Sequence, residues 1–243
     1  MDFGITARDD EERAIKLAKV IKEYLEARQH TVNLDKSVFP EGKKFDQICP
    51  EFLIVIGGDG TILNTVHRLK CDPKILTINM GTYGFLAHLN PQNVISSVKN
   101  ILDDEYLIEE HSRIEVKIEG DEEFEGPQKA LNDVTLLTPD WTIRKFAYYI
   151  DDQKVDTMRG DGIVVSTPTG STGYSMSAGG PYIDPRVDAL VVNSLLPMNR
   201  NTAPVVLPDD VKITVEILGD KYCTFSIDGI TNRNLQPEEK VHI

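Results

Sequence analysis

The run Phe52–Ile56 (Phe-Leu-Ile-Val-Ile), followed at once by Gly57-Gly58-Asp59-Gly60-Thr61, constrains the fold more than any other stretch. Five consecutive apolar residues with no polar alternation require cover on both faces, the condition of a strand inside a parallel sheet. The turn that follows puts an acid at the carboxyl end of that strand, where open α/β sheets place their ligands. Glycines on both sides of Asp59 remove Cβ atoms where a ligand or metal would approach the backbone. Thr61 is expected to cap the next helix, whose unpaired N–H groups favour an anion such as phosphate. The plainer alternative is a tight turn in which Asp59 only satisfies local N–H groups.

Around that unit the first third of the chain alternates strand and helix. Phe3–Ala7, Thr31–Leu34 and Ile75–Ile78 read as further strands. Asp9 or Asp10 is expected to cap a helix turning Ile15, Ala18, Ile21, Tyr24 and Leu25 to one face. A second helix runs through Leu63, Val66 and Leu69, and Asn90-Pro91 opens a third that ends at Ile101 or Leu102. This alternation argues for a Rossmann-like α/β layer. Beyond residue 105 the rhythm changes to period two. Ile114, Val116 and Ile118 alternate with charges, and Phe146–Ile150 and Val155–Met158 flank Asp151-Asp152-Gln153 as a hairpin. Ile163–Val165, Val205–Leu207, Val211–Ile217 and Cys223–Ile227 continue the strands, with a helix conceivable only near Val187–Val192. The expected organisation is an α/β N-terminal domain over 1–105 and a mainly β, sandwich-like C-terminal domain over 106–243. The chain's final residues are expected to pack back on the first domain.

A net charge of −13 speaks against nucleic acid or an anionic membrane as main partner, but not against a small phosphorylated ligand met by local donors. Cys49, Cys71 and Cys223 are odd in number and widely spaced, so free buried thiols are expected, with neither a zinc site nor a disulfide framework. The N-terminus lacks the basic and apolar regions of a signal peptide, and no apolar run reaches membrane-spanning length. A soluble, cytoplasmic protein is expected.

Three further segments carry chemistry. Gly160-Asp161-Gly162 leads through a strand into Ser166-Thr-Pro-Thr-Gly170-Ser171-Thr172-Gly173-Tyr174 and on to Ser177. That stretch is dense in hydroxyls, with Tyr174 offering a flat face to a base or sugar. Asn132-Asp133 pairs an amide with a carboxylate, able to bracket ribose hydroxyls. Asn79-Met-Gly81-Thr-Tyr-Gly84-Phe85-Leu86 joins backbone freedom to an aromatic. Taken singly, each also fits an ordinary loop or strand end.

Together and in this order the segments resemble the NAD kinase family, whose pattern is Gly-Gly-Asp-Gly-Thr, then G-x-x-G-F-L, N-E, and G-D-G-x-x-x-S-T-P-T-G-S-T-A-Y. The resemblance implies phosphoryl transfer to the 2′-hydroxyl of the adenosine ribose of NAD, with ATP, another nucleoside triphosphate or polyphosphate as donor. It implies a divalent cofactor, most simply Mg²⁺, and a homodimer or homotetramer. Asp59 matches the catalytic acid that accepts the hydroxyl proton, with Gly58, Gly60 and Thr61 lining the same pocket and Phe85 beside the adenosine. Asn132 and Asp133 match the pair holding the ribose and phosphate end. Arg159 and Asp161 match positions framing the site, partly from a neighbouring subunit. Thr172, Gly173, Tyr174 and Ser177, with Ser175 and Met176 between them, match the adenine and nicotinamide pocket. Asp133 stands where the family usually has Glu, and Gly173 where it has Ala. Ala203-Pro204 lacks the Arg many members carry before the proline, a loss for which Arg144, Lys145 or Arg200 would have to compensate. The rival readings are a lipid or sugar kinase sharing Gly-Gly-Asp-Gly-Thr and a non-catalytic NAD sensor. The Asp161–Tyr174 segment separates the first, and an intact Asp59 the second.

Overall fold

The computed structural model describes residues 1–81, 84–87, 89–121, 128–140, 142–199 and 202–243. The chain divides into two compact units, Met1–Glu109 and Glu110–Ile243.

The first unit contains β1 (Asp2–Ala7), α1 (Glu12–Glu26), β2 (Thr31–Leu34), β3 (Phe52–Ile56), α2 (Asp59–Arg68), β4 (Lys74–Ile78) and α3 (Val94–Leu102). Its four strands pair in parallel in the order β2-β1-β3-β4. All five residues of β3 are buried, as an uninterrupted apolar run between two parallel neighbours requires. The buried stripe of α1 runs through Ala14, Ala18, Ile21 and Leu25, with Ile15 and Tyr24 half-buried at its edges. That spacing is one helical face. The expected aspartate cap is absent: Glu11 stands at the N-cap without a side-chain bond, and the carboxylate of Asp10 pairs with Arg8. Asn90, in contrast, accepts from the Gln92 N–H ahead of α3, as expected of an N-cap before proline.

The expectation of free thiols is overturned for two of the three cysteines. Cys49 and Cys71 form a disulfide with their Cα atoms 5.9 Å apart, while Cys223 stays free and buried. Cys49 precedes β3 and Cys71 follows α2. A helix returning along its strand brings these two ends together, a closure that sequence spacing does not reveal.

The second unit contains β5 (Ile114–Glu115), β6 (Lys117–Ile118), β7 (Lys129–Ala130), β8 (Asp133–Leu137), β9 (Arg144–Ile150), β10 (Gln153–Gly160) and β11 (Gly162–Ser166). A one-turn α4 (Tyr174–Ser177) is followed by β12 (Ala189–Leu195), β13 (Val205–Pro208), β14 (Ile213–Leu218), β15 (Cys223–Ile227), β16 (Ile230–Leu235) and β17 (Lys240–His242). Two antiparallel sheets, β10-β9-β14-β17-β6 and β13-β12-β11-β8-β15-β16, share one core. Phe146, Val215 and Ile217 from the first meet Leu136, Ile163 and Phe225 from the second, which makes a sandwich. The β9–β10 hairpin turns at Asp151 and Asp152, both at positive φ, the geometry that matches the twist of its strands.

The helix conceivable near Val187–Val192 does not exist; Ala189–Leu195 is a strand. All seven of its residues are buried, and it pairs with both β11 and β13. A buried apolar run carries no period by which helix and strand can be told apart, and strand partners decide the outcome. No helix among the described residues is long and apolar enough to cross a membrane.

Candidate functional site

In the first unit the residues of interest gather at the carboxyl ends of β3 and β4. The helix after the glycine turn begins earlier than expected, at Asp59, so Gly58 is the N-cap and Thr61 lies inside the first turn without capping. Asp59 therefore sits at the positive end of α2, where a carboxylate is stabilised. Its Oδ2 accepts the Phe85 N–H at 2.9 Å, and its Oδ1 accepts those of Leu86 at 3.1 Å and Ala87 at 3.3 Å. Asp59 thus does satisfy backbone donors, but on a different loop from its own. A carboxylate offers about four acceptor directions, so among the described residues three donors leave one open, on Oδ2.

Gly84 is what lets this clamp close. A Cβ there would lie 2.2 Å from Asp59 Oδ1, so any side chain would displace the acid. Gly58 and Gly60 have nothing within 4 Å of where a Cβ would stand, so the turn presents bare backbone to open space. Phe85 is 57% exposed, an apolar ring facing outward beside Asp59. Thr82 and Tyr83 of the same motif lie outside the described residues.

In the second unit a different group converges. Asn132 and Asp133 enter β8. Thr167 of the loop after β11 donates its Oγ1 to Leu131 O at 2.6 Å, and its N–H to Asn132 O at 2.9 Å. Gly170 packs so closely that a Cβ would lie 2.0 Å from Asn132 O, which excludes every other residue. From another side Asp228 accepts the backbone N–H groups of Leu131, Asn132 and Asp133 at 2.7, 2.7 and 2.9 Å. The two sequence motifs, Asn132-Asp133 and the segment through Gly170, are therefore neighbours, and Asp228 and Thr167 bind them into one structure. Thr167 lies within the hydroxyl-rich stretch after Ser166, whereas Asp228 has no local signal beyond an Ile-Asp-Gly turn.

Asp133 is 5% exposed. Burial, reinforced by the Asp228 carboxylate, pushes its carboxyl up to about 7. Because this folded value lies above the ordinary one of 3.8, Asp133 favours the fold most below pH 4, and that contribution is lost as pH rises through 7. The interval corresponds to roughly 4 kcal/mol. Asp133→Asn, a neutral isostere, is accordingly expected to gain stability over the natural protein from pH 4 to pH 7 and to hold that gain above. Thermal unfolding across this range checks it; parallel curves would place Asp133 in a solvated setting.

The remaining residues expected in the site lie in the same unit, apart from those outside the described residues. Tyr174 and Met176 are 44% and 45% exposed on α4, with Ser177 exposed beside them. Ser175 turns inward, fully buried, and its Oγ finds no hydrogen-bond partner among the described residues. Thr172 is half-buried, its hydroxyl on Thr169 O at 3.2 Å. A Cβ on Gly173 would meet only Gly170 O, at 3.3 Å, so the alanine usual at this position is nearly accommodated. Asp161 follows β10 with its backbone bonded to Leu195 and Thr138, and Arg159 is exposed on the strand. Of the three residues offered in place of the missing arginine, Arg144 is buried and committed to Asp140, Thr142 and Tyr222. Lys145 is exposed, and Arg200 lies outside the described residues.

Comparison with known proteins decides the family. The models of the ATP-NAD kinase N-terminal and C-terminal domains match residues 40–106 and 131–243. The NAD kinase of Pyrococcus abyssi is 40% identical over 253 residues, spanning 100% of this chain and 90% of that protein. The chain belongs to the NAD kinase family. The NAD kinase of Fusobacterium nucleatum is 36% identical, across 99% of this chain and 87% of its own length. Among solved structures, an Archaeoglobus fulgidus NAD kinase in complex with ATP superposes with a TM-score of 0.81 at 27% identity, covering 100% of this chain and 89% of that one. Yeast NADH kinase complexed with NADH reaches 0.87 at 21% identity over 100% and 77%, a likeness of fold alone. The expected α/β domain and mainly β domain, the latter antiparallel, are those of this family. The chain is a kinase, and its reaction is phosphoryl transfer to NAD. The lipid-kinase, sugar-kinase and sensor readings receive no support.

Proposed function

We propose that Asp59 is the general base, accepting the proton of the NAD 2′-hydroxyl as that oxygen attacks the terminal phosphorus of the donor. The open acceptor direction on Oδ2 carries this reading. A ribose hydroxyl is a poor nucleophile, and a positioned carboxylate raises its reactivity. The Phe85, Leu86 and Ala87 N–H groups hold the carboxylate in one orientation, so little reorganisation accompanies proton transfer. Gly58, Gly60 and Thr61 keep the approach to Asp59 open, and Phe85 offers its ring to the adenosine.

In the second unit, Asn132 and Asp133 are assigned to the ribose. The Asn132 Oδ1 has no hydrogen-bond partner among the described residues, which leaves it able to accept from a hydroxyl if the site opens to it. Asp133, its carboxyl raised to about 7 by burial and Asp228, is about half protonated at neutral pH and so suited to donate as well as accept. Thr172, Gly173, Tyr174, Met176 and Ser177 take the bases, while Ser175, expected among them, is buried beneath and faces away, and Arg159 and Asp161 frame the phosphates. Tyr174→Ala is expected to weaken NAD binding by about 5- to 150-fold, the worth of one stacking contact. Calorimetry that returns an unchanged affinity would remove Tyr174 from the site.

A divalent ion, most simply Mg²⁺, would supply neutralisation of the donor's phosphates. Among the described residues no group of three or more His, Cys, Asp or Glu could hold a metal, and an ion carried in by the nucleotide's phosphates would need none. The donor is ATP or another phosphoanhydride. The protein works in the cytoplasm, where NAD and nucleotides are at hand, as a homodimer or homotetramer in which Arg159 reaches a neighbouring subunit. Incubation with NAD, Mg²⁺ and each of ATP, other nucleoside triphosphates and polyphosphate, followed by an assay for NADP, tests the donor. Failure with every one would overturn the reading.

A further inference from the structure

The bond between Cys49 and Cys71 closes a loop that contains β3, the Gly57–Thr61 turn and all of α2. Cys49 is exposed and Cys71 half-buried, so solvent reaches the bridge from the Cys49 side. Cys223 is buried, and that burial pushes its thiol up to about 11, which keeps it protonated and inert at neutral pH.

Among the described helices of the first unit, α2 is the one least anchored in the core. Its buried residues are Ile62, Thr65 and Val66. None of its described apolar side chains joins the continuous core that takes in Ala14, Ala18, Ile21 and Leu25 of α1 and Val94, Val98 and Ile101 of α3. Its firmer attachments are polar or covalent. Arg68, its last residue, donates to both carboxylate oxygens of the buried Asp35, at 2.6 and 3.1 Å. Asp59, its first residue, accepts the N–H groups of Phe85, Leu86 and Ala87. The disulfide ties down the chain just beyond Arg68. An element with few buried apolar contacts is the kind that opens locally. For α2 to come away from β3, the residues between the two cysteines must gain freedom, and a bond joining the ends of that loop limits the freedom.

A disulfide open to solvent is the kind that thiols exchange, and the reducing compartment proposed above supplies them. We infer that Cys49–Cys71 is an exchangeable disulfide, opened by a dithiol, and that its opening loosens α2 and the Asp59 it carries. One thiolate of the dithiol attacks the exposed Cys49 sulfur, the S–S bond breaks, and Cys71 leaves as a thiolate that takes up a proton. The second thiol then displaces Cys49 from the mixed disulfide. The dithiol ends as a cyclic disulfide, and its two electrons and two protons rest on the two cysteines.

Dithiothreitol added to the full native chain without denaturant, followed by iodoacetamide, tests the chemistry. Labels are expected on Cys49 and Cys71 and not on Cys223, while the untreated protein takes none. Amide hydrogen exchange across Asp59–Arg68 is expected to quicken by about 10- to 100-fold on reduction, with the amides of β12 unchanged. The temperature that abolishes half of NADP formation is expected to fall by roughly 6–12 °C, and oxidised dithiothreitol to restore the original values. The double variant Cys49→Ser, Cys71→Ser gives the reduced values and ignores the dithiol. Labels on Cys49 and Cys71 before reduction, a bridge that opens only in denaturant, or α2 exchange within twofold of the oxidised protein once the bond is cut overturns the inference. The effect on NADP formation rests on the reading of Asp59 as base. Labelling and exchange are read without substrate, so failure of the disulfide inference and failure of that reading are told apart.

Discussion

Replacing Asp59 with asparagine lowers NADP formation by about 10²–10⁴-fold, the usual loss when a general base is removed. The structure adds a smaller effect on stability. Asn keeps one carbonyl oxygen for the N–H groups of Leu86 and Ala87, but turns an amide toward the N–H of Phe85. One hydrogen bond is lost, about 1 kcal/mol, and the unfolding midpoint falls by roughly 2–4 °C. NAD affinity changes far less than turnover. If Asp59 served only to clamp the loop at Phe85–Ala87, the order would reverse, with stability reduced and turnover almost kept. Rate and thermal unfolding measured on the same variant separate the two. Near-normal turnover would falsify the assignment of Asp59 as base.

The largest effect on stability is expected from Asp228→Ala. Its carboxylate alone gathers the N–H groups of Leu131, Asn132 and Asp133, in a part-buried position linking β15 to the start of β8. Removing it strands three donors at about 1–3 kcal/mol each. Alanine also suits the positive φ of 49° poorly, adding about 1 kcal/mol. Relief of the repulsion on Asp133 offsets part of this, so a net loss of about 3–5 kcal/mol is expected in urea unfolding. Asp228→Asn, which tolerates the backbone and keeps one acceptor, is expected to lose less than half as much. Activity follows the same order, because the backbone of Asn132 is what Asp228 positions. A loss below 1 kcal/mol for the alanine variant would show that water replaces the carboxylate.

Local pattern was enough for much of this molecule. The run Phe52–Ile56 has no period, can be covered only on both faces, and is the buried centre of a parallel sheet. Asn90-Pro91 carries its own stereochemistry and opens its helix turn as expected. The motifs through Asp59, Asn132 and Gly170 were legible because each needs particular residue types at adjacent positions.

What only the tertiary structure decided shares one physical cause: it depends on partners distant along the chain. Ala189–Leu195 is a strand because β11 and β13 supply its hydrogen bonds, where its own apolar run is equally consistent with a helix. Cys49 and Cys71 are bonded because a strand and its returning helix end side by side. Asp59 is oriented by the N–H groups of Phe85, Leu86 and Ala87, more than twenty residues on, and Gly84 is required only because that carboxylate lies against it. Asp228 lies almost a hundred residues from the backbone it holds. Sequence determines which residues can do chemistry, and chain-distant hydrogen bonding and register determine which of them are aimed.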